Sequence, residues 1–178
     1  MATIHTVALA NISQMKFIYI LLFLVHALCA NNVCAQVEQG ENGIIGRYVE
    51  DGLPVIMKFV ASFPDVKTRS KFPILTVISW KYNGELTNGM PSNETNAQMI
   101  ELEDALDVAI NESGIFTHAY SRTGNNLKEL VYYSTKQDDF NKTINKALLD
   151  HSRYPIEIVF YEDNEWSDFM KILSNFKK

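Results

Sequence analysis

Cysteine is almost missing. The 178 residues hold two, Cys29 and Cys34, and both precede a cleavage expected between Ala35 and Gln36. The chain from Gln36 onward then has no thiol, which excludes disulfides, a thiolate nucleophile and cysteine metal sites. Cleavage at Ala30 instead would leave Cys34 as a lone thiol. Histidine is also scarce: only His118 and His151 follow Gln36, far apart and with no partner at metal-ligand spacing. The chain has no Walker motif, no Gly-x-Gly-x-x-Gly, no His-Glu-x-x-His and no Gly-x-Ser-x-Gly elbow. Gly40, Gly43 and Gly46 are evenly spaced but form no phosphate-binding fingerprint. Basic residues are outnumbered: 15 face 21 acidic ones after position 35, a net charge of −6. Phosphate binding needs clustered Lys and Arg, so this balance argues against nucleic acid and against an anionic membrane surface. No cofactor is expected.

One apolar run stands out, Phe17 to Val25, preceded by Lys16 and interrupted by His26. It is shorter than the ~20 apolar residues of a spanning helix. A positive flank, a short apolar core and the small-residue exit Val33-Cys34-Ala35 make a secretory signal peptide. Residues before Met15 carry no formal charge, which makes Met15 a second candidate start. The expectation is an exported protein, periplasmic or secreted, free of the membrane once cleaved. Positions 1–35 are the signal, 36–45 a polar, Gly-containing flexible tether, and 46–178 a single α+β domain. About 140 residues suit one domain with a real core.

Hydrophobic periodicity predicts three helices. The first spans about Thr95 to Asn111, with a Thr95/Gln98 capping box, an apolar stripe of Met99, Leu102, Leu106, Ala109 and Ile110, and a stop at Gly114. The second spans about Lys136 to His151, with Ser134/Gln137 as its capping pair and Phe140, Ile144, Ala147 and Leu148 as its stripe. The third starts near Asn164 and carries Trp166, Phe169, Met170 and Leu173. Strand-like runs are Arg47–Glu50, Pro54–Phe63, Ile74–Tyr82, Ile115–Arg122, Leu127–Tyr133 and Pro155–Tyr161. Thr123-Gly124-Asn125-Asn126 has the turn chemistry of a hairpin. From Ile74 onward the order βαββαβ predicts a ferredoxin-like split βαβ sandwich, with an N-terminal strand extension and a C-terminal helix. Right-handed crossovers put the Ile74 and Leu127 strands in the centre and the Ile115 and Pro155 strands at the edges.

Four constellations are candidates for chemistry. Glu101, Glu103, Asp104 and Asp107 share the first helix, and Glu103 with Asp107 one turn apart could share a cation or act as paired carboxylates. The blander explanation is a solvated helix face. Asp163, Glu165 and Asp168 sit at a helix start, where acidic residues ordinarily cap and complement the dipole. His118 with Ser113 or Ser121 lacks the surroundings of a serine hydrolase. The favoured candidate is aromatic. Alternation puts Trp80 with Tyr82, and His118 with Tyr120 and Arg122, each pair or trio on one side of its own strand. Tyr132 and Tyr133 point to opposite sides, so one of them could join. If that sheet face is open, it is a stacking or interaction platform, with Met90 in the neighbouring Gly89-Met90-Pro91 loop. If the third helix or the N-terminal extension covers it, these residues are core.

At Trp80-Lys81-Tyr82, Gly89-Met90-Pro91, Leu102-Glu103, Thr123-Gly124, Tyr132-Tyr133 and Asp163-x-x-Trp166, the chain resembles a bacterial family catalogued as domain of unknown function 695. The resemblance covers roughly Arg47 to Phe176. That family is in turn similar to the regulator of ribonuclease activity B family. This implies a protein-binding regulator and supplies no catalytic residues, although an exported protein cannot meet a cytoplasmic ribonuclease. Three functions therefore compete. The first is a non-catalytic module binding a protein or small ligand of the cell envelope. The second is a periplasmic or secreted hydrolase using carboxylates. The third is a structural envelope protein pairing a strand through the Ile115–Arg122 edge. Expression with the N-terminal segment in a secreting host should yield a product beginning at Gln36 by intact-mass analysis; a product retaining Phe17–Val25 would make that run an anchor instead.

Overall fold

The computed structural model describes residues 36–40 and 43–176; the segment expected to be a signal, 1–35, lies outside them. The strands are β1 (Gln36–Gly40), β2 (Gly43–Glu50), β3 (Leu53–Phe59), β4 (Ile74–Lys81), β5 (Phe116–Gly124), β6 (Leu127–Ser134) and β7 (Ile156–Glu162). The helices are α1 (Val66–Lys71), α2 (Asn93–Ser113), α3 (Gln137–Ala147) and α4 (Ser167–Phe176). The fold is α+β. Six strands, β2 to β7, make an open antiparallel sheet that β1 extends, in the order β1-β2-β3-β5-β6-β4-β7.

Strands β4 and β6 have neighbours on both sides, where the helix–strand alternation puts them, and β7 is an outer strand. The expected edge position of β5 is corrected. Strand β3 pairs along it from Val55–Gly124 to Phe59–Tyr120, so β5 offers no free edge for an added strand. The expected tether is also different: Gln36–Gly40 pairs with Arg47–Gly43 as β1.

Local chemistry shifts the helix starts. Ser92 caps α2 by accepting the Thr95 N–H at 3.1 Å, so the helix begins two residues before the expected capping box. Gly114 ends it in the left-handed conformation, as its position after the stripe predicts. Ser134 does not cap α3, because its hydroxyl bonds Thr76 across the sheet at 3.0 Å. Helix α1 has no buried residue and hence no apolar stripe to announce it; its one signal is the Asp65 cap on Thr68. The β5–β6 turn has Asn125 and Asn126 both at positive φ, a two-residue type I′ hairpin.

The sheet separates two cores. On one face Met99, Leu102 and Leu106 of α2 and Phe140 and Ile144 of α3 pack on Ile78, Trp80, Phe116, Leu130 and Tyr132. On the other, Phe169 and Leu173 of α4 pack with Trp166 on Met57, Phe59, Leu75, Tyr120, Val131 and Tyr133. Phe176, at the end of α4, lies so close to β2 that a Cβ on Gly46 would stand 2.3 Å from its ring. Any larger residue at 46 would displace that ring.

A small set of groups seats α4. The Trp166 ring stacks on Tyr133 at 3.7 Å and 7°, and its indole N–H donates to the Phe72 carbonyl at 2.9 Å. Asp163 accepts from the Ser167 N–H and hydroxyl, the Asp168 N–H and the Tyr133 hydroxyl, at 2.7–3.0 Å. Partial burial opposes its ionisation, but these four donors outweigh that and hold the carboxyl below its ordinary value. Asp163→Ala should cost about 2–4 kcal/mol, from a lost cap (~1) and a stranded Tyr133 hydroxyl (~1–3). Because the folded-state value is depressed, this contribution is complete above about pH 4 and disappears as pH falls through the lower folded value. Urea unfolding of wild type and variant at pH 7 and pH 3 checks this: the gap should shrink in acid.

Candidate functional site

The aromatic residues singled out by alternation do not share a face. Strand β5 carries a bulge between His118 and Tyr120: His118 pairs with Tyr132 and Tyr120 with Val131, leaving Ala119 as the extra residue. The extra residue reverses the side on which everything after it falls. His118 therefore joins Trp80 and Tyr82 on the α2/α3 face, whereas Tyr120 and Arg122 lie on the α4 face. Trp80 and Tyr120 are only 4% and 8% exposed, so the expected open aromatic platform is corrected: both belong to the core.

Each remaining aromatic is tied into structure. Tyr82 is half-buried and donates its hydroxyl to the Gly89 carbonyl at 2.9 Å. That loop, which holds half-buried Met90, is pinned to the β5–β6 turn: Asn126 Oδ1 accepts the Gly84 N–H, and the Asn126 N–H donates to Gly89 O, both at 2.9 Å. His118 packs against the Tyr132 ring at 5.4 Å. Burial first, then Lys58 and Lys128, push its imidazole down to about 4, so it is neutral at pH 7.

The acidic candidates do not converge either. Glu103 pairs with the buried Lys128. Burial and Glu103 raise the Asp107 carboxyl. Asp163 seats α4, and Glu165 is exposed. Among the described residues no group of three His, Cys, Asp or Glu is arranged to hold a metal ion. A groove of about 520 Å³ runs between α2 and α3; alanine and valine supply four of its nine lining residues, and its charged or titratable groups are Glu112, Lys146 and His151.

Polar groups gather instead on the α4 face. The register places Arg122 beside Glu129, Glu129 beside Ser79 and Ser79 beside Glu157, one row across β5, β6, β4 and β7. Ser79, Arg122 and Glu129 are half-buried, and Glu157 is exposed. Helix α4 reaches Tyr133, Tyr120, Phe59 and Gly46 and leaves this row beside it. Arg122 donates to Glu50, which also accepts from Asn125 Nδ2 at 3.1 Å. Tyr120 donates to Asp168, in the first turn of α4, at 2.6 Å. Glu129 is loosely held: Ser79 Oγ is 3.5 Å from one oxygen, and Arg122 Nε is 3.9 Å from the other. That Nε is buried and makes no hydrogen bond.

The matched family now has a structural context. The chain belongs to the family of unknown function DUF695. The family model covers residues 47–174, from β2 to the end of α4. No curated protein and no solved structure matches the chain. The residues through which it resembles DUF695 are largely architectural here: Tyr133, Asp163 and Trp166 seat α4, Glu103 neutralises Lys128, and Gly89 anchors a loop.

Of the charged row, Arg122 was among the sequence candidates; Ser79, Glu129 and Glu157 were not. The row's signal was present, because Glu129 shares a side of β6 with the buried Val131 and Tyr133. A carboxylate continuing an apolar stripe marks where the cover ends. Desolvation raises the Glu129 carboxyl, against the pull of Arg122 and Ser79 and with a further push from Asp168 and Glu50. A carboxyl raised in the folded state weakens folding as pH rises above its unfolded value. Glu129→Gln should therefore raise the thermal midpoint at pH 7, by an amount that vanishes near pH 4. Arg122→Met should push Glu129 higher still, read by ¹³C carboxyl titration; an unmoved midpoint would mean the two groups do not interact.

Proposed function

We propose that this DUF695 protein is an exported, non-catalytic binding module, and that the half of the α4 face left uncovered by the helix is its binding surface. In this reading β4 to β7 with α2 and α3 form the ferredoxin-like unit, and β1 to β3 and α4 are additions that shape the face. The observation that carries the proposal is the Ser79–Glu129–Arg122 row. Half-buried charge beside a helix, with a carboxylate held only at 3.5 and 3.9 Å, costs stability without improving packing. Groups of that kind are retained where they meet a ligand. The carboxylates considered for hydrolysis have other work or stand alone, which favours binding over catalysis. Export rests on the Lys16 to Ala35 segment, and it directs the search for a protein or small-molecule partner to the cell envelope.

A photocrosslinking residue tests this at Lys81, exposed on the same side of β4 as Ser79, against one at Leu149, 78% exposed beyond α3. An envelope component should crosslink from position 81, not from 149, and the product should be lost in Arg122→Ala. Equal yields at both positions would move the binding surface elsewhere.

A further inference from the structure

We infer that the occupant of this face is a lysine- or arginine-bearing polypeptide segment. The inference rests on the binding-module reading and adds the chemistry of the partner. Around the row stand four carboxylates, Glu50, Glu129, Asp168 and Glu157, with the cations Arg122 and Lys81 on the strands and Lys171 one turn beyond Asp168 on α4. Arg122 is already engaged by Glu50. The second nearby carboxylate, Glu129, has no hydrogen bond shorter than 3.5 Å. A half-buried carboxylate with unused acceptor capacity is stabilised by an incoming guanidinium or ammonium more than an exposed one is, since less water competes. An anion would instead meet the surplus of carboxylates.

The extent of the row favours a polypeptide over a lone amine. Four strands at ~4.8 Å spacing place Arg122 and Glu157 about 14 Å apart along the sheet. An extended segment of four or five residues spans that at ~3.3 Å each, with cationic side chains two apart falling on the same side.

The test uses two labelled pentapeptides, Gly-Arg-Ala-Arg-Gly and Gly-Glu-Ala-Glu-Gly, with the chain from Gln36. Fluorescence anisotropy and ¹⁵N amide shifts are read in about 0.1 M salt, where the Debye length is about 10 Å. The arginine peptide should move the amides of Ser79, Arg122, Glu129 and Glu157. Glu129→Gln should weaken it about tenfold, while Asp104→Asn, an equal charge change on the outer side of α2, should leave it within about twofold. Equal weakening by both variants would reduce the effect to net charge and overturn the assignment. The glutamate peptide moving these amides would overturn the cationic partner and leave the binding face standing. Neither peptide moving them would overturn the cationic partner as well. In that case crosslinking from Lys81 decides separately whether the face binds anything.

Discussion

The Asp163 carboxylate and the Tyr133–Trp166 stack together decide which part of the sheet is covered. One charge receives four hydrogen bonds, two from the start of α4, one from the Ser167 hydroxyl and one from the sheet. The indole then fills the space above Tyr133 and reaches the Phe72 carbonyl. With its first turn fixed there, α4 runs towards Gly46, where the absence of a side chain admits Phe176. The helix cannot also cover Ser79 and Glu129. The uncovered charged row is a geometric consequence of how the helix is tied down.

The two faces differ in how much polar character they admit. The α2/α3 face is closed by two helices, and its buried cation, Lys128, is compensated by Glu103. Burial, reinforced by Lys58 and Lys128, keeps His118 neutral there. The α4 face is closed by one ten-residue helix, and it grades from aromatic packing at Tyr133 and Tyr120 through largely buried charge at Arg122 to exposed charge at Glu157. Tyr120 stands at the boundary: its ring stacks near Phe169, and its hydroxyl donates to Asp168. Burial and that acceptor both raise its ionisation far above the ordinary phenol, so it stays a donor at any physiological pH.

Much of this was legible beforehand. Long stripes with clear stops located α2 and α3, β-branched and aromatic runs located the strands, and two asparagines after Gly124 located the hairpin. Several things were not. Helix α1 packs no stripe of its own. Ser134 faces a sheet partner 58 residues away, which outcompetes its capping role. The bulge at Ala119 has no local sequence mark, because it answers the register of β6 rather than any preference of Ala119 itself. Strict alternation therefore put His118, Tyr120 and Arg122 together and mixed residues from two faces. Arg122 was singled out, but its neighbours Glu129 and Ser79 were missed for a related reason: the three meet only through strand pairing.

The single extra residue in β5 acts as a parity switch. If the same residues alternated from Phe116 without the bulge, Arg122 would fall among Trp80, Leu130 and Leu102, the apolar interior beneath α2. There a guanidinium without its Glu50 partner would incur a desolvation cost of several kcal/mol, comparable to the whole stability of a domain this size. With it, the same strand delivers Phe116 to one core, Tyr120 to the other, and its charge to the open side. Removing Ala119 would let His118 and Tyr120 alternate regularly opposite Tyr132 and Val131 and leave every later side chain on its present side, and a substitution that preserves the count likewise leaves every partner in place.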